Sequence, residues 1–123
     1  LQLGEDAEAA GLLTAFLKKD WSDELVTIVG HIDTGKPRQQ LDLLENCLKQ
    51  HPNNPTLLFT LGRVSLRNQL WGKGRAYLEQ AANLARSVQQ NAQINAELGR
   101  LLEQLGEREQ SFQCYQKALK LLE

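Results

Sequence analysis

The feature that most constrains the fold is a segment that occurs twice, 37 residues apart. Leu-Gly-Arg at residues 61–63 returns at residues 98–100, and each copy is followed by an apolar run and a new amphipathic segment. A chance likeness between helices would not keep one interval over so many positions. The interval therefore predicts a repeat architecture, in which equivalent helices stack on one another. It also relates Gly62 to Gly99, Leu78 to Tyr115 and Ala81 to Ala118.

Apolar residues recur at helical spacing along the chain, and turn-forming residues divide them into seven segments. Ser22 suits an N-cap, Gly35 the left-handed position after a helix, and Pro37 the first turn of the next helix. Residues 51–55 are the strongest break, and residues 88–91 form a polar joint. Because the joints are short, consecutive helices should be antiparallel neighbours. The predicted helices cover residues 5–19, those from Ser22 to about 32, those from Pro37 to about 48, 55 to about 68, 71 to about 87, 92–105 and about 107–122.

Composition excludes several classes of function. The 14 Lys and Arg residues balance 15 Asp and Glu residues, so the chain has no general attraction to nucleic acid or anionic lipid. Cys47 and Cys114 lack metal or redox spacing, which predicts small core residues rather than a disulfide framework. The sequence contains no run of 18 apolar residues. It begins at Leu1 and contains no Met, which predicts a piece of a longer protein.

The unit that begins at Pro55 resembles the tetratricopeptide repeat, a helix-turn-helix unit of 34 residues. Its signature positions are occupied there by Leu58, Leu61, Gly62, Trp71, Gly74, Leu78 and Ala81. In the unit that begins at Ala92 they are occupied by Leu98, Gly99, Gly106, Ser111, Tyr115 and Ala118. The resemblance implies an all-α fold: an α-solenoid of tetratricopeptide-like antiparallel helix pairs, with about seven helices in a right-handed superhelix.

The resemblance also implies how the units pack and where they divide. Gly62 and Gly74 should lie where two helices of a pair touch, and Trp71 should pack the second helix on the first. Ile28 stands at the position of the contact glycine in the first unit, which should push its two helices slightly apart. Residues 1–123 then form a single tetratricopeptide-repeat domain, with a leading helix over 1–20, a degenerate repeat over 21–54, and repeats over 55–91 and 92–123.

A closer resemblance is to the C-terminal tetratricopeptide region of the proteobacterial HemY protein. It is carried by Lys49–Pro52, Leu61–Arg63, Asn68–Lys73, Tyr77–Glu79 and Glu97–Glu107. The resemblance implies a non-catalytic protein–protein interaction scaffold in late haem and porphyrin biosynthesis, with porphyrin-pathway enzymes as partners. It places the full-length protein at the cytoplasmic face of the bacterial inner membrane, held by two transmembrane helices that this chain lacks. It carries over no catalytic residue, cofactor or metal.

In a tetratricopeptide stack the first helices of the pairs line a concave groove, and five positions of each repeat point into it. From the second and third repeats these are Thr56, Phe59, Arg63, Leu66 and Arg67, and Gln93, Ala96, Arg100, Glu103 and Gln104. The first repeat should add Leu25, Val29 and Ile32, which would make that end of the groove apolar.

Two interpretations of the groove arginines stand equally. Arg63, Arg67 and Arg100 on one wall, near Phe59, suit an extended acidic peptide held by bidentate guanidinium contacts. Alternatively, they pair only with Glu97, with Glu103 or with solvent. The lysine and asparagine residues of the family's carboxylate-clamp subtype are absent at matching positions.

Other functions have weaker sequence support. His31 and His51 have no partner at ligand spacing, so surface or capping roles are favoured over metal or haem ligation. A porphyrin or haem carrier would use the apolar end of the groove with His31 or Cys114, and a general tetratricopeptide adaptor of another pathway is the third alternative. The last helix has an apolar face at Tyr115, Leu119 and Leu122, which either packs wholly on helices five and six or forms a homodimer.

Overall fold

The computed structural model describes residues 3–123, with the side chains of residues 3–7 and 10 left out. Residues 1 and 2, the start of the predicted 1–20 segment, lie outside the described residues. The described part contains seven α-helices and no strand, which confirms the all-α prediction. They are α1 (Leu3–Lys19), α2 (Asp23–His31), α3 (Pro37–Cys47), α4 (Pro55–Arg67), α5 (Trp71–Leu84), α6 (Val88–Gln104) and α7 (Arg108–Leu121).

The helices stack in chain order. The close pairs are α4 with α5 and α6 with α7, while α5 packs on α6 and α4 packs on both α2 and α3. The leading helix α1 covers α2 and α3. Since each unit contacts the one before it, the predicted α-solenoid is confirmed.

Side-chain caps mark the start of α2, α4 and α6. The Ser22 hydroxyl accepts a hydrogen bond from the Leu25 amide at 3.3 Å, and Asn54 Oδ1 accepts one from the Leu57 amide at 2.9 Å. Ser87 caps α6 through the Gln90 amide at 3.0 Å. These contacts satisfy amides that would otherwise have no partner in the first turn.

The cap at Ser87 corrects one predicted boundary. Residues 88–91, expected to be a polar joint, form the first turn of α6, and α5 ends at Leu84. The Gln90 side-chain oxygen accepts a hydrogen bond from the Arg86 amide at 3.2 Å. Ser87 and Gln90 therefore act much like a capping box. The spacing Ser-x-x-Gln was the sequence signal for this start.

Small residues let the paired helices approach closely. A Cβ atom on Gly62 would lie 2.8 Å from the Leu78 side chain, and one on Gly74 would lie 2.7 Å from Leu66. In the next unit, a Cβ on Gly99 would lie 2.6 Å from the ring of Tyr115. Gly62 and Gly99 therefore occupy matching helix crossings.

The core consists of two apolar clusters that share α4. Leu57, Leu61 and Val64 face the first cluster, while Leu58 and Phe59 face the second. Around them, the first cluster contains Leu17, Val26, Val29, Leu41, Leu44 and Cys47, and the second contains Leu78, Ala81, Ile94, Leu98 and Leu101. Because α4 is apolar on two faces, it joins the N-terminal and C-terminal halves.

Several apolar side chains at predicted helix contacts are partly or largely exposed. Trp71 is 37% exposed at the first turn of α5, so only part of its side chain packs against the neighbouring helices. In α1, Phe16 and Leu12 are both exposed, because the helix contacts its neighbours through Leu13 and Leu17.

Ile28 is also half exposed and lies outside the helix contact. Within residues 3–123, α2 and α3 do not approach as closely as the later pairs. Gln40 bridges them, since its amide nitrogen donates to the carbonyl oxygens of Val29 and Ile32. Gly30 is the close-contact glycine of α2, and it meets Thr60 on α4.

A polar link joins α3 to α5 across two units. The Glu45 carboxylate lies 2.7 Å from Lys73 Nζ and accepts a hydrogen bond from the Tyr77 hydroxyl. Burial alone would raise the pKa of Glu45, but the bonds from Lys73 and Tyr77 hold that pKa below its ordinary value.

Glu45→Gln is therefore expected to lower the free energy of unfolding by about 1 kcal/mol at neutral pH. A carboxyl whose folded pKa is depressed stabilises above its unfolded pKa, and the contribution is lost as pH falls through the folded value. Urea unfolding from pH 7 to pH 3 should show the deficit of Glu45→Gln shrinking with acid. A deficit that stayed constant would contradict the ionic origin, and the exposed Glu8→Gln is the control.

Candidate functional site

The first helices of the pairs line a continuous concave surface, here called the α2–α4–α6 groove. One hollow of about 480 Å³ is lined by Asp23, Glu24, Thr27, His31, Thr56, Phe59, Thr60, Arg63, Gln90, Gln93, Ala96, Glu97 and Arg100. A second hollow of about 410 Å³ shares His31, Arg63, Glu97 and Arg100, and adds Leu66, Arg67, Trp71, Leu101 and Gln104. The helix caps at Ser22, Asn54 and Ser87 all lie at one end of this surface.

Arg63 and Arg100 converge on one carboxylate at the centre of the groove. Arg63 Nε and Arg100 Nη1 each lie 3.5 Å from Glu97 Oε1. The Glu97 side chain is only 14% exposed, whereas that of Arg100 is 69% exposed. The Arg63 guanidinium carbon also lies 4.7 Å from the centre of the Phe59 ring, a cation–π contact that holds it over the groove floor.

Arg67 lies at the end of the groove where α2 and α4 end. Its Nη2 donates to the carbonyl oxygen of Gly30, near the C-terminus of α2. Burial lowers the pKa of Arg67, the positive Arg63 lowers it further, and Asp33 opposes the shift. The positive charges of Arg63 and Arg67 therefore lie close together at this end, with Asp33 near Arg67.

His31 lies beside this cluster on α2. Its Nδ1 is 2.8 Å from the Thr27 carbonyl oxygen, and its Nε2 is 3.4 Å from Arg63 Nη1. The ring is therefore engaged through both nitrogens with the groove wall. The sequence analysis placed His31 in the groove only for the porphyrin-carrier alternative and did not include it among the ten predicted partner-binding residues.

The expectation of an apolar end at α2 is wrong. Val29 is buried in the first core cluster and Leu25 packs against it, so neither lines the groove. The short helix must turn its apolar face inward to cover Leu41 and Leu44. Its groove side instead presents Asp23, Glu24, Thr27 and His31. The spacing of Asp23, Thr27 and His31, four residues apart, was the signal for this polar face.

Nine of the ten predicted groove residues line the two hollows, and Glu103 does not. The Glu103 carboxylate accepts a hydrogen bond from the Tyr115 hydroxyl at 3.1 Å, because its side of α6 faces α7. Of the two acidic residues proposed to pair with the arginines, only Glu97 does so.

The other candidate ligands lie away from the groove. His51 stacks on Trp21 with ring centres 3.9 Å apart. Cys47 is buried in the first core cluster, and Cys114 packs against the second, where burial raises the pKa of both thiols. Of the two ligands suggested for a haem carrier, His31 lines the groove and Cys114 does not. The groove end that such a carrier would use was predicted to be apolar and is polar.

No group of three or more His, Cys, Asp or Glu side chains is arranged to hold a metal ion among the residues that the structure describes. Over the same residues, none of the helices combines the length and the apolar character that crossing a bilayer requires.

Comparison with known proteins finds similarity in the fold. No protein-family model matches the chain, and no curated protein does. The structure titled "Crystal structure of MamA" has a TM-score of 0.74 at 20% identity, with 96% of this chain and 69% of that chain covered. "MamA RS-1 ArsTM double mutant" has a TM-score of 0.73 at 16% identity, covering 97% and 67%. "MamA MSR-1 C2" has a TM-score of 0.70 at 18% identity, covering 96% and 68%. MamA is built of tetratricopeptide-like repeats, so the fold is of this type.

Proposed function

We propose that the chain is a non-catalytic protein-interaction scaffold that binds an extended acidic segment of a partner protein in the α2–α4–α6 groove. The observation that carries the proposal is that Arg63, Arg67 and Arg100 line one hollow with a single carboxylate, Glu97. Asp23 and Glu24 line the other hollow, toward the start of α2, and Asp33 lies near Arg67. Glu97 and Asp33 together cannot neutralise three guanidinium groups, so positive charge is left at this end of the groove to attract an anionic segment.

The geometry favours carboxylates as the recognised groups. The Arg63 and Arg100 contacts to Glu97 are long, at 3.5 Å, and Arg100 is largely exposed. Partner carboxylates can form shorter paired bonds to the same guanidinium groups. The guanidinium groups of Arg63 and Arg100 therefore keep hydrogen-bonding capacity that Glu97 does not use. This unused capacity favours the binding interpretation over simple internal pairing.

The shape of the groove favours an extended peptide. From Thr56 to Arg67 the groove follows α4 over about 17 Å at the helical rise. That length accommodates about five residues of extended chain. Next to the arginines, Leu66 and Trp71 offer apolar surface for one side chain of the partner. The partner motif is therefore a short run of acidic residues next to one apolar residue.

The experiment compares paired charge reversals in affinity capture quantified by mass spectrometry. Arg63→Glu with Arg100→Glu is expected to weaken capture of the partner by about tenfold or more, because charge-assisted hydrogen bonds are lost. Arg38→Glu with Arg108→Glu makes the same charge change at exposed sites outside the groove and should leave capture intact. Unchanged capture by the groove variant, with its helicity retained, would place the interface elsewhere.

Glu97→Gln is expected to change partner capture in the opposite direction from the arginine substitutions. Removing the internal carboxylate frees Arg63 and Arg100, so partner capture, and its competition by a short oligo-glutamate peptide, should both strengthen. If the arginines serve only to pair with Glu97, the substitution should lower stability and leave capture unchanged.

The proposal extends to the pathway through the sequence resemblance to HemY. Segments such as Lys49–Pro52 and Glu97–Glu107 support partners among the enzymes of late porphyrin biosynthesis, at the cytoplasmic face of the inner membrane. The proteins captured by the wild type but not by the Arg63 and Arg100 variant decide this point. Partners from an unrelated pathway would favour a general tetratricopeptide adaptor.

A further inference from the structure

An exposed apolar surface lies at the C-terminal end of the stack, and it is here called the C-terminal hollow. It measures about 470 Å³ and is lined by Gln89, Ala92, Gln93 and Ala96 of α6 and by Tyr115, Ala118, Leu119 and Leu122 on and just after α7. Leu119 is 69% exposed and Leu122 is 63% exposed. The apolar face of α7 therefore does not pack wholly on α5 and α6. Exposed apolar surface gathered in one concavity is typical of a docking site.

The internal repeat indicates what such a surface covers. Moving back by 37 residues relates Gln89 and Ala92 to Pro52 and Pro55, at and just before the start of α4. The other six lining residues correspond to Thr56, Phe59, Leu78, Ala81, Ala82 and Ala85. These positions form the surface of α4 and α5 on which α6 lies. Ile94, Leu98 and Leu101 of α6 belong to the same apolar cluster as Phe59, Leu78 and Ala81. Gln90 of α6 adds a hydrogen bond to Thr56 Oγ1 at 2.9 Å.

We propose that the C-terminal hollow binds an amphipathic helix of a partner protein, placed on α6 and α7 as α6 is placed on α4 and α5. The bound helix carries aliphatic side chains at positions i, i+4 and i+7, the spacing of Ile94, Leu98 and Leu101. At position i−4 the bound helix carries a polar side chain that forms a hydrogen bond with Gln93, just as Gln90 of α6 forms one with Thr56.

The differences between the two surfaces define the partner further. Leu119 and Leu122 stand where Ala82 and Ala85 stand in the preceding unit, and Ala96 stands where Phe59 does. Close packing then requires smaller side chains opposite the two leucines and a larger one opposite Ala96. The occupant differs from α6 in this distribution of size.

A second copy of the chain fits the hollow less well. A second copy could present α7, which carries Tyr115, Leu119 and Leu122 at i, i+4 and i+7, but these side chains line the hollow themselves and would set leucine against leucine where the hollow needs smaller side chains. It could also present α1, which exposes Leu12 and Phe16 at i and i+4. Its position i+7 is Lys19, an exposed cation in place of the third aliphatic side chain. A partner helix with an uninterrupted apolar stripe is the better occupant.

The test uses α6 itself as the probe, because it carries the required spacing of aliphatic side chains. Its side-chain sizes match Ala82 and Ala85 rather than Leu119 and Leu122, so its binding is expected to be weak but saturable. A fluorescein-labelled peptide of residues 87–104 is titrated with the whole chain and followed by anisotropy. Saturable binding is expected for the wild type, with a loss of about tenfold or more for Leu119→Asp with Leu122→Asp, since apolar contact area is removed. A peptide with Ile94→Asp and Leu98→Asp should not bind.

The matched control is Phe112→Asp, which introduces the same charge at an apolar side chain of α7 that is 62% exposed but lies outside the hollow. It should bind the peptide as the wild type does. No binding by the wild type, or equal loss in both variants, would overturn the proposal. Sedimentation that shows a wild-type dimer, made monomeric by the Leu119 and Leu122 changes, would also overturn it in favour of a second copy.

Discussion

Replacing Gly62 with valine is expected to lower the free energy of unfolding by about 3 kcal/mol. Even a Cβ atom there would lie 2.8 Å from Leu78, which is fully buried and cannot turn away. On the same side, the Gly74 carbonyl oxygen is 3.4 Å from that Cβ. The gain in helix propensity from glycine to valine is only a few tenths of a kcal/mol, so the steric cost prevails.

The control is the same substitution at Gly72, where an added Cβ meets nothing within 4 Å. Gly72→Val should change stability by no more than about 0.5 kcal/mol. Urea unfolding followed by circular dichroism measures both variants. Equal unfolding midpoints for Gly62→Val and Gly72→Val would show that α4 and α5 do not cross at Gly62. That result would contradict the stacking of the helix pairs in register.

Leu61→Ala is expected to cost about 2–5 kcal/mol, because it removes a fully buried side chain and leaves a cavity. Leu61 lies on α4, the helix shared by both core clusters, so neighbouring units cannot easily collapse into the space. The loss is a large part of the stability of a domain of this size.

Leu12→Ala is the matched control for this loss, since the Leu12 side chain is 68% exposed. Its effect should stay within about 0.5 kcal/mol. Thermal and urea unfolding give the comparison. A Leu61→Ala protein as stable as Leu12→Ala would mean that α4 does not occupy the centre of the core.

The repeat interval predicted the stack, and the resemblance to the tetratricopeptide repeat predicted most of the groove on α4 and α6. The contact glycines at Gly62 and Gly99 and the arginines at Arg63 and Arg100 occupy matching positions, because a repeat imposes one register on both units. Turn residues placed most helix boundaries, since Gly35, Pro37 and Pro55 restrict the backbone locally.

The first unit was harder to interpret from its sequence. The nine residues of α2 include Leu25, Val26, Ile28 and Val29, which lie on more than one face of a helix. Such a pattern does not specify which face is buried. The packing of Val26 and Val29 against α3 and α4 turned Asp23, Thr27 and His31 into the groove.

By itself, the sequence determined the helical periodicity, the positions of the breaks and the register between the second and third units, because these follow from local backbone preferences and a fixed interval. Only the tertiary structure decided the rotation of α2, the exposure of Trp71, the turn of Glu103 toward α7 and the uncovered hollow beside Leu119. Each of these depends on which neighbouring helix competes for a side chain's contact area, and no single helix encodes its neighbours.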